Sequence, residues 1–116
     1  MTKTEAIRKI QRSLALGSQV ITPKNRNYEE YAAELSEILI NHTITPIKVT
    51  IVSACFSEYD FDKYKNSEVW AIARINDSWL LTLETENEFA LGFGADAKNI
   101  MMHGFSSSDA LAEWCA

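Results

Sequence analysis

In Glu68–Gly94, EVWAIARINDSWLLTLETENEFALGFG, three runs rich in β-branched and aromatic residues are separated by short polar clusters. That is the pattern of three antiparallel strands joined by tight turns. Successive side chains of a strand point to opposite faces. The odd positions are Val69, Ala71, Ala73 and Ile75, then Trp79, Leu81 and Leu83, then Phe89, Leu91 and Phe93. Three-residue loops at Asn76–Ser78 and Thr85–Asn87 place all of these on one face, with Asn87 suited to the left-handed conformation such a loop needs. Ala71, Leu81 and Leu91 are then expected to look the same way, into a dry layer beneath the N-terminal helices. The opposite face carries Trp70, Ile72, Arg74, Leu80, Thr82, Glu84, Glu88, Ala90 and Gly92. Its apolar part, Trp70, Ile72 and Leu80, is either covered by a second element or a contact surface, including one for self-association.

Upstream, Thr2-Lys3-Thr4-Glu5 matches a capping box, and Ile7, Ile10 and Leu14 fall on one stripe before Gly17. A helix over about 3–16 follows. Asn27 caps a second helix over about 28–41, in which Tyr28, Tyr31, Ala32, Leu35, Ile38 and Leu39 repeat at three-four spacing. Ile47–Phe56, IKVTIVSACF, reads as a central strand because both its faces are largely apolar after Lys48 and Thr50. Lys98–His103 fits an edge strand, and Phe105-Ser106-x-x-Asp109 fits the start of a third helix with Ser106 as cap. The fold class expected is therefore a two-layer α+β domain over 1–116. Its antiparallel sheet has four or five strands, with two N-terminal helices and one C-terminal helix mainly on one face.

The 116-residue chain has an ordinary apolar fraction, no run long enough for a membrane helix and no secretory pattern at its N-terminus. With only Cys55 and Cys115, a reducing, cytoplasmic setting with free thiols is expected. The net charge of −5 is unevenly spread. Residues 1–26 hold six cations against Glu5 alone, whereas the remainder holds five cations against fifteen carboxylates. An acidic body disfavours nucleic acid and favours a basic protein partner.

Little in the chain points to catalysis. Two histidines have no ligand spacing for zinc, and GxSxG, P-loop and HExxH motifs are absent. Asp60-x-Asp62 opens like a calcium loop, but Tyr64 and Lys65 occupy the next required positions. Gly92–Ala97 satisfies GxGxxA without the parallel strand–helix–strand setting a dinucleotide needs. No cofactor is expected. The expected function is that of a non-enzymatic interaction module of inhibitor, immunity or adaptor type. The candidate contact residues are Tyr59, Asp60, Phe61, Asp62, Tyr64, Trp70, Ile72 and Leu80, since aromatics interleaved with carboxylates suit a recognition surface. A homodimer through the Trp70 face is compatible with this. The alternative is a small-molecule binder or small enzyme with a pocket between helices and sheet, lined by Tyr28, Tyr31, Trp79, Phe89 or His103.

Overall fold

A computed structural model describes all of residues 1–116. In chain order the elements are α1 (Lys3–Ala15), α2 (Tyr28–Asn41), β1 (Thr43–Val49), β2 (Ile51–Ala54), α3 (Phe61–Lys65), β3 (Val69–Ile75), β4 (Ser78–Leu83), β5 (Phe89–Phe93), β6 (Ile100–Ser107) and α4 (Ala110–Trp114). The fold is α+β, with one largely antiparallel sheet of six strands in the order β1-β3-β4-β5-β6-β2. The expected class holds; the strand count exceeds the expected four or five.

The count differs because Ile47–Phe56 is not a central strand. The chain runs through Thr43–Ala54 with one break at Thr50, and the two parts lie at opposite edges of the sheet. Edges joined by a single residue require the sheet to roll until they meet. Thr50 N–H donates to Ala97 O at 2.9 Å and Thr50 O accepts from Ile100 N–H at 3.0 Å, which fixes the seam. β1 is antiparallel to β3, and β2 is parallel to β6. One parallel pair is unavoidable, since an up-and-down meander of five strand paths closes on itself with its first and last paths running the same way.

Rolling gives the sheet an inside and an outside. Ile51, Val69, Ala71, Trp79, Leu81, Leu83, Ala90, Ile100 and Met102 fill the inside, with Tyr64 of α3 added to them. Outside, Ala6 and Ile10 of α1, Leu39 of α2 and Ala110 and Leu111 of α4 close over Ile72, Ala73, Leu80 and Phe89. The caps act as the residues imply. Thr2 and Glu5 bond reciprocally, and Asn27 Oδ1 accepts from Glu30 N–H at 3.1 Å.

The register departs from expectation at two places. The β3–β4 turn has two residues, Asn76 and Asp77, between the paired Ile75 and Ser78, with Asn76 at φ 52°. A bulge at Ile72 then restores odd-to-odd pairing, Ala71 with Leu81 and Val69 with Leu83. The β4–β5 connection is Glu84–Glu88, and it leaves Leu81 opposite Ala90 and Leu80 opposite Leu91. Ala71 and Leu81 therefore share the inside, but Leu91 faces out with Leu80. The layer beneath the N-terminal helices is the Ile72–Leu80 face, not the Ala71–Leu81 face. Further along, Ser106 lies within β6, and Asp109 caps the last helix by accepting from Ala112 N–H at 3.0 Å.

Candidate functional site

The helices cover the outside of β3, β4 and β5 but leave most of the outside of β6 and β2 bare. β6 is apolar in both directions. Ile100 and Met102 are buried inside, whereas the alternate Met101 is exposed, as is Val52 on β2. At the C-terminal ends of the two strands the bare region becomes aromatic. Phe56, Tyr59 and Phe105 are 41, 58 and 36% exposed, and His103 is half-buried among them. Their ring centroids are 4.5 Å apart for Tyr59–Phe105, 5.3 Å for Phe56–Phe105, 5.3 Å for His103–Phe105 and 5.4 Å for Phe56–His103. Tilted and edge-on pairs at such distances are favourable. The cluster is therefore a set arrangement rather than four independent side chains.

Backbone and carboxylate bonds hold the cluster from beneath. Beyond β2 the chain turns but stays bonded to β6, with Cys55 N–H donating to Met102 O and Phe56 N–H to His103 O, both at 3.0 Å. Gly104 has φ +126°, and a Cβ there would lie 2.3 Å from Phe56 O. Only glycine admits that approach without displacing the backbone. Asp60 then ties the Tyr59 loop to β6. Its N–H donates to Gly104 O at 2.9 Å, and its Oδ2 accepts from Ser106 N–H at 2.9 Å and Ser106 Oγ–H at 3.0 Å.

The eight residues singled out from sequence separate into distinct environments. Tyr59 and Asp62 are exposed, and Asp60 and Phe61 are half-buried. Phe61 packs against the inner core, with Lys65 Nζ 5.6 Å over its ring. Tyr64 is buried; its hydroxyl and Glu88 Oε1 have no hydrogen-bond partner. Burial first, and the Glu88 charge second, push the Tyr64 phenol well above its usual value. Ile72 and Leu80 are fully buried and Trp70 is half-buried against the same outer core. The supposed Trp70–Ile72–Leu80 contact face is thus the floor of the helix layer, because α1, α2 and α4 pack on that side of the sheet and not on the Ala71–Leu81 side. Ile72 and Leu80 therefore offer no exposed area on that face.

The residues expected to line a pocket between helices and sheet do not gather round one cavity: Phe89 lines a space of about 60 Å³ against α1, apart from Tyr28 and Tyr31. Trp79 lies inside the roll and Phe89 outside it, while His103 belongs to the surface cluster; they line no common cavity with Tyr28 and Tyr31. The clefts that exist lie on the surface. One of about 290 Å³ separates the basic face of α1, with Arg8, Lys9 and Arg12, from Glu84 and Thr85. Desolvation lowers the Lys9 ammonium below its usual value, and its Nζ donates to Leu83 O. Nearby Lys63 pairs with Glu86 at 2.6 Å and Glu88 at 3.0 Å. Much of the acidity of the β4–β5 connection is answered within the chain.

Phe56 and Phe105 are not among the contact residues expected from sequence, and His103 is expected there only as a pocket-lining residue. The signal for His103 and Phe105 lies in Ile100–Phe105, IMMHGF, which is largely apolar at both parities and needs covering on both sides. No group of three or more His, Cys, Asp or Glu side chains is placed to hold a metal ion, and no hydrogen bond joins either exposed cysteine to a histidine. No helix is long and apolar enough to cross a membrane. Comparison with protein families, with curated proteins and with solved structures finds no match for this chain.

Proposed function

We propose that the chain is a non-enzymatic, cytoplasmic interaction module, of the inhibitor, immunity or adaptor kind. It docks a basic protein partner on the outward surface at the C-terminal ends of β2 and β6. The observation that carries this reading is the uncovered Phe56–Tyr59–His103–Phe105 cluster. Large rings held against one another in solvent cost little to order on binding and offer apolar area to a partner. Charge supplies the sign of that partner. Residues 49–62 and 99–107, which build the surface, contain no Lys or Arg, and their exposed charges are the carboxylates Glu58 and Asp62. The cations of α1 lie on another face, beside Glu84.

Affinity capture from the native cell, run in parallel with the wild-type chain and with Phe105→Ala, tests the proposal. A basic protein retained by the wild type, released by salt and missing from the variant is the expected result. A partner held equally by both chains, or held independently of salt, contradicts it.

A further inference from the structure

We infer that the group this surface takes from its partner is an arginine guanidinium. It would stack on the Tyr59–Phe105 pair with Glu58 as counter-charge, while Asp60 holds the pair in place without touching the partner. The inference rests on the interaction reading above and specifies its chemistry.

The molecule already contains the arrangement twice on an arginine and once on a lysine, Lys48, whose Nζ lies 5.5 Å over the Trp70 ring and 3.4 Å from Glu68 Oε1. Arg74 lies 4.0 Å over the Trp79 ring while its Nη2 is 3.6 Å from Asp77 Oδ1. Arg26 lies 5.3 Å over the Tyr31 ring while its Nη2 is 2.8 Å from Glu34 Oε2. Each pairs one ring face and one carboxylate with a single guanidinium. A planar, weakly hydrated cation can satisfy both at once, whereas an ammonium gives up more hydration to do so. At the C-terminal ends of β2 and β6 the chain offers rings and carboxylate but no cation of its own. Glu58, adjacent to Tyr59, is exposed and makes no ion pair or hydrogen bond. Tyr59 and Phe105 form a tilted, offset stack at 4.5 Å and 33°, in which each ring covers part of the other, and Tyr59, 58% exposed, is the more open of the two as a platform.

Asp60 has a different part. Its Oδ2 is already engaged by both donors of Ser106, and Ser106 follows Phe105 directly. It is a positioning residue for the platform, which separates its role from that of Glu58.

Nuclear magnetic resonance titration of the whole chain with short Arg-rich, Lys-rich and citrulline-rich peptides of equal length tests this. The Arg peptide is expected to bind roughly five-fold or more tighter than the Lys peptide, shifting the Tyr59 and Phe105 ring signals; the citrulline peptide is expected not to bind. Phe105→Ala, Tyr59→Ala and Glu58→Gln should each weaken the Arg peptide. Asp60→Asn, which keeps an acceptor for Ser106, should leave its affinity within about two-fold, and Asp60→Ala should not. Equal affinity for Arg and Lys peptides overturns the arginine inference and leaves a basic partner standing. Loss of binding in Asp60→Asn equal to that in Glu58→Gln overturns the division between the two carboxylates. Failure of both cationic peptides to bind at low salt overturns the inference and the interaction reading together.

Discussion

The outside of the rolled sheet has two parts of similar chemistry and opposite fate. Over β3–β5, Ile72, Leu80 and Phe89 are sealed by α1, α2 and α4. Over β6–β2, Val52, Met101 and Phe105 meet solvent, as does Phe56 just beyond β2. Composition alone does not distinguish them, because both are apolar. The difference is reach. The helices are fixed above β3–β5 by short connections and by polar latches, such as Ser13 Oγ donating to Ser108 O at 2.7 Å while accepting from Ala110 N–H at 2.9 Å. Within residues 1–116, no helix lies over the outside of β6–β2 around Val52 and Met101. An apolar surface that a chain leaves bare, yet keeps in order with a glycine and a carboxylate, suits a partner better than it suits the fold.

Substitution at matched positions tests that contrast. Leu80→Ala, which empties a fully buried site, should cost about 2–5 kcal/mol, whereas Phe105→Ala, which loses ring contacts at a partly exposed site, should cost about 1 kcal/mol. Urea denaturation midpoints compare them, and equal losses would erase the distinction between the two parts. Gly104→Ala should fall between, at about 1–3 kcal/mol, because its φ of +126° and the Phe56 oxygen both oppose a Cβ. Near-ultraviolet circular dichroism should show the aromatic cluster disturbed in that variant, and an unchanged spectrum would disconnect Gly104 from the cluster. Asp60→Ala should cost about 1–3 kcal/mol by stranding the Ser106 donors. Asp60→Asn should recover most of that loss in the same denaturation assay.

A smaller effect belongs to the covered part. Burial first, and Asp109 second, hold the Glu113 carboxyl above its ordinary value. A raised carboxyl binds its proton more tightly in the folded state. Stability therefore falls as pH rises from the ordinary glutamate value through the folded one. Glu113→Gln should remove that fall, seen as a flatter dependence of the urea midpoint across about pH 4 to 7. An unaltered slope would mean that Glu113 is not the group responsible.

What could be read from the residues followed their locality. The capping box at Thr2 and Glu5, the Asn27 cap and the Gly17 stop involve neighbours within one turn, and all three stand. The three-strand meander is also local and stands as a topology. Its register fails at β5 because the last pair, Thr82 with Phe89, encloses six residues, an even number that exchanges the faces, where the alternation suggests three. The bulge at Ile72 has no periodic signature, since Ala71, Ile72 and Ala73 are apolar on either face. The Thr50 seam depends on Ala97 and Ile100, far away in sequence, and nothing in IKVTIVSACF announces it. Likewise Tyr59 is conspicuous among the charges of its loop, but its partners Phe56, His103 and Phe105 come from separate strand ends that only the roll brings together. Asp60 drew notice as a charge, and its bonds to Ser106 make it a clamp.

The most direct trial of this account is the solvent exposure of individual aromatic rings in the pure chain, read from signal loss with a soluble paramagnetic agent. Tyr59 and Phe105 should lose intensity strongly while Phe89 and Trp79 keep theirs, at low and at high protein concentration alike. Protection of Phe105, or attenuation of Phe89 to match it, would contradict the account.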